Sequence, residues 1–133
     1  MTIQTLEQQY ASLIYEQVKD YGDKHQPKDN PDRKKYGSMA HKLPILVHTS
    51  GLAQSIAYVM SRGKDAHNKL IEDMAQVVAN CGKKEFWEKC IQAELQEYIY
   101  LTRKTMLALN WYKRFAQSVL EIDPTDDGEE DSK

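Results

Sequence analysis

Apolar residues recur at helical spacing along most of the chain. Between residues 5 and 21, Leu6, Tyr10, Leu13, Ile14, Val18 and Tyr21 follow the i, i+3, i+4 pattern of an amphipathic helix. Thr5 is placed to cap it, with Gln8 three residues on completing a capping box. The stretch GDKHQPKDNPDRKK that follows is polar throughout, holds two prolines and reads as a solvated loop of about a dozen residues. A second periodic segment starts near Pro31 and runs through Tyr36, Met39, Ala40, Leu43, Leu46 and Val47. Pro44 lies inside it, has no N–H and clashes with the preceding turn, so a kink or a restart is expected there. Gly51 is placed to close that segment in a left-handed conformation.

Shorter periodic segments come next. Leu52, Ile56, Val59 and Met60 mark a helix stopped at Arg62–Gly63. Another opens at Lys64 or Asp65, buries Leu70, Met74, Val77 and Val78, and ends by Gly82. Phe86, Trp87 and Ile91 form a third. The last segment, about 93 to 121, is the longest, and its apolar residues fall on more than one side, which predicts a helix packed on several faces. No run alternates with period two for long enough to be a strand; LPILVHT is the one ambiguous stretch. The expected fold is all-α, a compact bundle of five to six helices around a long C-terminal one.

The chain has 133 residues, enough for one domain and not comfortably for two. Its net charge of −2 hides an asymmetry, because EIDPTDDGEEDSK at the C-terminus holds seven acids and one lysine. The first 120 residues therefore carry 17 Lys and Arg against 13 Asp and Glu. The expected division is a single helical domain over 1–121 and a disordered acidic tail over 122–133. That tail is read as a solubilising end, with mimicry of nucleic acid against the basic body as the sharper alternative. No apolar stretch approaches the roughly 20 residues of a membrane helix, and MTIQTLEQQY has no signal-peptide character. The expectation is a soluble, cytoplasmic protein with no membrane partner.

Catalytic chemistry finds little to use. None of the four histidines, His25, His41, His48 and His67, is followed by Asp, and neither Glu-x-x-His nor His-Glu-x-x-His occurs. Cys81 and Cys90 are nine residues apart with no second close ligand pair, so they read as small core or interface residues. Gly63–Lys64 lacks the rest of a phosphate-binding loop, and Gly37–Ser38 and Ser50–Gly51 lack that of a nucleophile elbow. No enzyme activity, metal or cofactor is expected.

Positive charge is what remains. Basic residues cluster at Arg33-Lys34-Lys35, at Lys42 with His41 and His48, at Arg62 and Lys64, at Lys83-Lys84, at Arg103-Lys104 and at Lys113-Arg114. Most surface cations only solvate a helix. Arg103 and Arg114, however, are eleven residues apart, which is about three turns and 20° of α-helix. Asn110 falls between them on the same line and Lys113 beside it, giving a polar stripe able to track phosphates. Tyr36, Tyr58, Tyr98 and Tyr112 could stack on bases, although helical tyrosines more often fill core boundaries.

Two stretches carry a family resemblance: KLPILVHTSGLAQSIAYV at 42–59, and YLTRKTMLALNWYKRFAQSVL at 100–120, especially its Leu-Thr-Arg opening and Asn-Trp-x-Lys-Arg-Phe-Ala. Together they resemble the small all-helical subunit of the Cmr-type (type III-B) CRISPR RNA-targeting effector complex, over most of residues 4–120. The resemblance implies a non-catalytic subunit, copies of which stack head to tail as a minor filament. Its implied partners are the other subunits of the complex and the guide–target RNA duplex lying in the groove between filaments. Pro44, Gly51, Trp111 and Phe115 then look structural, Trp111 and Phe115 as core anchors. The RNA-contacting residues expected from charge are Lys35, His41, Lys42, His48, Arg62, Arg103, Lys104, Asn110, Lys113 and Arg114. The resemblance leaves the acidic C-terminus unexplained. The alternative is a helical adaptor or regulator without RNA contact, expected to scatter its basic residues evenly and to expose an apolar patch of several hundred Å². A small DNA-binding repressor fits less well, because a segment interrupted by Pro44 is a poor recognition helix.

Overall fold

The computed structural model describes residues 4–125. Among them are six α-helices and no strand: α1 Leu6–Lys24, α2 Pro31–Ser50, α3 Leu52–Arg62, α4 Asp65–Ala79, α5 Lys83–Gln92 and α6 Leu95–Ser118. α1 begins as its sequence dictates. Gln8 N–H donates to Thr5 Oγ1 at 3.1 Å and Thr5 N–H donates to Gln8 Oε1 at 2.9 Å, so each satisfies a donor the helix leaves open. α2 starts at Pro31, where the second periodic segment is expected to begin, inside the stretch that reads as a polar loop. Asn30 Oδ1 accepts from Asp32 N–H and Arg33 N–H, and Pro31 occupies the first turn, where its missing N–H costs nothing. With α1 reaching Lys24, the connection shrinks to residues 25–30.

Pro44 does not restart α2; the helix runs through it to Ser50. The ring removes one backbone donor, but Leu43 and Val47 on either side are both buried and hold the segment against the bundle. Gly51 alone joins α2 to α3. Its φ is positive at +89° as expected, yet ψ is 160°, so the backbone is extended and not left-handed helical. In that conformation its N–H donates to Val47 O and its carbonyl accepts from Ser55 N–H and Ser55 Oγ. One residue thereby ends one helix and starts the next. α3 stops at Gly63, which takes the left-handed conformation. α4 ends at Asn80 and not at Gly82: Asn80 is left-handed, its N–H donates to Gln76 O, and Cys81 N–H reaches back to Ala75 O.

α2 and α6 pack together most extensively, α1 closes on α6, and α4 packs against α2. Tyr36, Met39, Ala40 and Leu43 of α2, Leu70, Ile71 and Met74 of α4, and Ala108, Leu109, Tyr112 and Ala116 of α6 are essentially inaccessible. Burying a large apolar side chain of this kind stabilises by about 1.5–3 kcal/mol. Leu13 and Ile91 depart from the expected buried stripes, at 52% and 50% exposed, and Val77 is half-buried.

The chain does not leave the bundle after α6. Leu120 and Ile122 are buried, with N–H groups donating to Phe115 O and Ala116 O. The packed body thus continues past residue 121. A Cβ on Gly37 would lie 2.8 Å from Ile122 Cβ, so α2 admits that side chain only where it has none of its own. Arg33 secures the same end: Nε donates to Leu120 O, one terminal nitrogen to Val119 O and the other to Gly22 O. One guanidinium therefore serves carbonyls at the C-terminal ends of α1 and α6, where helices present partial negative charge. The expected acidic tail lies, from Asp126 on, outside the described residues.

Candidate nucleic-acid interface

α6 carries its buried residues, Leu101, Thr105, Ala108, Leu109, Tyr112 and Ala116, along one side. The far side is where Arg103, Asn110 and Arg114 fall, and all three are exposed, with Lys113 exposed beside them. Asn110, Lys113 and Arg114 meet Trp111, Gln117 and, from α1, Glu7 around an open cleft of about 640 Å³. Among the described residues no carboxylate pairs with Arg103, Lys113 or Arg114; ion pairs form elsewhere, at Lys19–Asp23, Lys24–Asp20, Lys28–Glu121 and Lys69–Asp73. Lys104 is half-buried and lies over the Tyr100 ring at 4.9 Å.

A second cationic group sits apart from this cleft. Lys42 lines an apolar groove with Met39, Ile45, Leu46 and Tyr58, and Arg62 donates to Tyr58 Oη at 2.8 Å, its guanidinium 5.6 Å from that ring. This groove and the α6 cleft share no lining residue. Lys35 is half-buried and His48 exposed, and neither lines the α6 cleft.

Several expected contacts take other roles. His41 is 6% exposed, and its Nε2 donates to Ile122 O at 2.8 Å, so it holds the C-terminal segment in place of facing solvent. The donor must be Nε2, because a carbonyl only accepts. His41 and His48 consequently do not share an accessible face. Tyr36 and Tyr112 are fully buried and unable to stack on a base, whereas Tyr58 is exposed and Tyr98 half-buried. Trp111 and Phe115, expected inside the core, are half-buried at its edge, rings 5.4 Å apart, with Tyr15 meeting Phe115 edge-on at 5.5 Å.

A polar cluster inside the bundle has no counterpart in the local sequence pattern. Tyr36 Oη donates to Asp73 Oδ2 at 2.7 Å, Lys69 Nζ lies 3.0 Å from Asp73 Oδ1, Gln17 Nε2 donates to Asp73 O, and Tyr112 Oη donates to Gln17 Oε1. Burial pushes the Asp73 carboxyl above its usual range, opposed by the Tyr36 and Lys69 bonds. Burial likewise raises the Tyr36 and Tyr112 hydroxyls. The Cys90 thiol is pushed up to about 12 by burial and then by Cys81, and Cys81 is raised by burial first. Both thiols are thus poor nucleophiles and poor ligands at neutral pH. Among the described residues no three His, Cys, Asp or Glu gather to hold a metal ion, and no helix is long and apolar enough to cross a membrane.

The sequence matches the family model of the CRISPR-associated protein Cas_Cmr5 over residues 6–119. It is 40% identical over 119 residues to the CRISPR system Cmr subunit Cmr5 of Thermus thermophilus, an alignment covering 90% of this chain and 99% of that one. The bundle is similar to the crystal structure of a CRISPR-associated Cmr5 family protein from the same organism, with a TM-score of 0.79 and 40% identity, covering 88% of this chain and 98% of that one. Sequence and backbone agree over nearly the whole of α1 to α6, and the chain belongs to the Cmr5 family of CRISPR-associated proteins.

Proposed function

We propose that this chain is a non-catalytic subunit of a cytoplasmic Cmr-type CRISPR ribonucleoprotein, contacting RNA through the outer face of α6. The observation that carries this is the stripe of Arg103, Asn110 and Arg114, with Lys113 alongside, whose cations pair with no carboxylate among the described residues, in a member of the Cmr5 family. Cations without carboxylate partners lose little on meeting phosphates, and the counterions they release favour binding irrespective of sequence. Base pairing between guide and target reads the sequence, while this subunit holds the backbone. A monomer offers few phosphate contacts, so affinity grows through copies placed side by side in the assembly.

The test is the pair Arg103→Glu with Arg114→Glu in the reconstituted complex. Target-RNA retention should weaken, more at low salt than at high, while the melting of the isolated chain stays unchanged. Equal retention by variant and parent at both salts removes this stripe from the RNA path.

Protein contact has its own support. Ile91, Leu95, Ile99 and Tyr100 are 50%, 73%, 42% and 57% exposed around the α5–α6 junction, and Ile45 and Tyr58 border the separate α2–α3 groove. Head-to-tail stacking requires two unlike surfaces on each monomer, and these two apolar areas are the ones we assign to it. If the complex forms but crosslinking never joins the chain to a nucleotide, the adaptor role without RNA contact takes the place of the reading above.

A further inference from the structure

We infer that Trp111 is a stacking platform for an unpaired base of single-stranded RNA, whose neighbouring phosphates rest on Lys113 and Arg114; this rests on the RNA-contacting role of α6 proposed above and names its ligand. Trp111 lies one helical step from the exposed Asn110 and lines the cleft with Lys113, Arg114, Gln117 and Glu7. Phe115 backs the indole at 5.4 Å and Tyr15 backs Phe115 at 5.5 Å, so the ring is braced from the protein side. The cleft, at about 640 Å³, falls inside the range of about 300–1,000 Å³ in which small ligands bind.

The indole N–H separates this tryptophan from the other. Trp87 Nε1 donates inward to Ala53 O at 3.2 Å, whereas Trp111 Nε1 has no acceptor among the described residues. A purely packing role makes no use of that donor, or of the two cations beside it that pair with no carboxylate among the described residues. An apolar protein surface fits the same place badly, since covering Lys113 and Arg114 without partners costs their hydration. A nucleotide meets all three demands: a π-face for the indole, phosphate for the cations, and polar base edges for Asn110 and Gln117, with a phosphate or ribose oxygen for the in-plane Nε1–H. Among the described residues Glu7 is the one carboxylate lining the cleft, against Lys113 and Arg114. A paired duplex cannot fill it, because stacked bases offer no free face. The ligand is therefore a single-stranded segment.

The test uses the full chain at low salt. Single-stranded RNA carrying 5-iodouridine is photocrosslinked to it and the joined peptide is mapped. In a Trp87→Phe chain, with Trp111 the sole tryptophan, emission is followed on adding the single strand, the same strand with abasic sites, or its duplex. We expect crosslinks on Trp111 or its neighbour Phe115 and quenching by the intact single strand alone. Trp111→Ala should weaken single-strand binding about ten-fold or more, the size of one base stack, and duplex binding hardly at all. Trp111→Phe, which keeps an aromatic face, should recover most of the loss if the alanine variant folds poorly. Salt-dependent binding with equal quenching by all three ligands, or crosslinks only at distant lysines, overturns the Trp111 platform and leaves the phosphate role of α6 standing. No binding of any RNA at low salt overturns both.

Discussion

Asp73 is 5% exposed and held by Tyr36 and Lys69, yet burial still raises its pKa. A carboxyl whose folded pKa lies above its unfolded value binds its proton more tightly in the folded state. Its stabilising contribution is complete below the unfolded value, near 4, and fades as pH climbs through the folded one. Asp73→Asn has nothing to ionise and can still accept from Tyr36. The stability difference between variant and parent should therefore shift in favour of asparagine as pH rises from about 4, then level off. Paired thermal melts across pH read this directly; a shift the other way would show that the Tyr36 and Lys69 bonds outweigh desolvation. Aromatic truncations divide by burial as well. Phe86 is 0% exposed, so Phe86→Ala should cost about 3–5 kcal/mol in urea unfolding. Trp111 and Phe115, half-buried, should each cost less, so a value for Trp111→Ala equal to that of Phe86→Ala would place the indole inside the core.

At the scale of elements, α2 is where local signals and long-range packing part company. The capping box of α1, the Gly63 stop of α3 and the wide apolar surface of α6 are all readable from neighbours a few residues away. So is the start of α2 near Pro31, although the loop before it is shorter than the polar composition suggests, because Asn30, Pro31 and Asp32 suit a helix N-terminus as well as a turn. What no local pattern reveals is that Gly37, Arg33 and His41 all serve the segment after α6, some 80 residues away. In the sequence Arg33 and His41 read as members of basic clusters and Gly37 as part of no motif, and their shared role emerges only when the segment through Ile122 is in place. Gly37→Ala tests this. The new methyl meets Ile122 at 2.8 Å, so the expected loss is about 1–3 kcal/mol, as for overpacking elsewhere. Since alanine is otherwise a better helix former than glycine by up to about 1 kcal/mol, a stabilised variant would show that Ile122 is loosely held.

For the whole molecule, function follows from what the bundle leaves unsatisfied. The interior ties polar groups together around Asp73 and withdraws both thiols, while the exterior keeps on α6 cations that pair with no carboxylate among the described residues, and two separate apolar surfaces. Of the basic residues singled out from sequence, periodicity places the α6 stripe because a straight helix has one predictable outside. It misplaces His41, because the partner that buries it comes from the far end of the chain. If Arg103, Lys113 and Arg114 are the phosphate contacts, binding of single-stranded RNA by the isolated chain should fall with salt at a log–log slope of about −2, near 0.7 per contact. The assembled complex should give a steeper slope, and a flat response in fluorescence titrations from low to high salt would contradict the electrostatic role.

The closure of α1 and α2 by Leu120 to Ile122 also has a consequence for biosynthesis. A nascent polypeptide arrested on the ribosome before Val119 leaves Arg33 without two of its three acceptors and Gly37 facing an empty notch. Early helices must therefore wait for late ones, and the closing step of folding follows translation of the entire helical region, in contrast to domains that settle as they emerge.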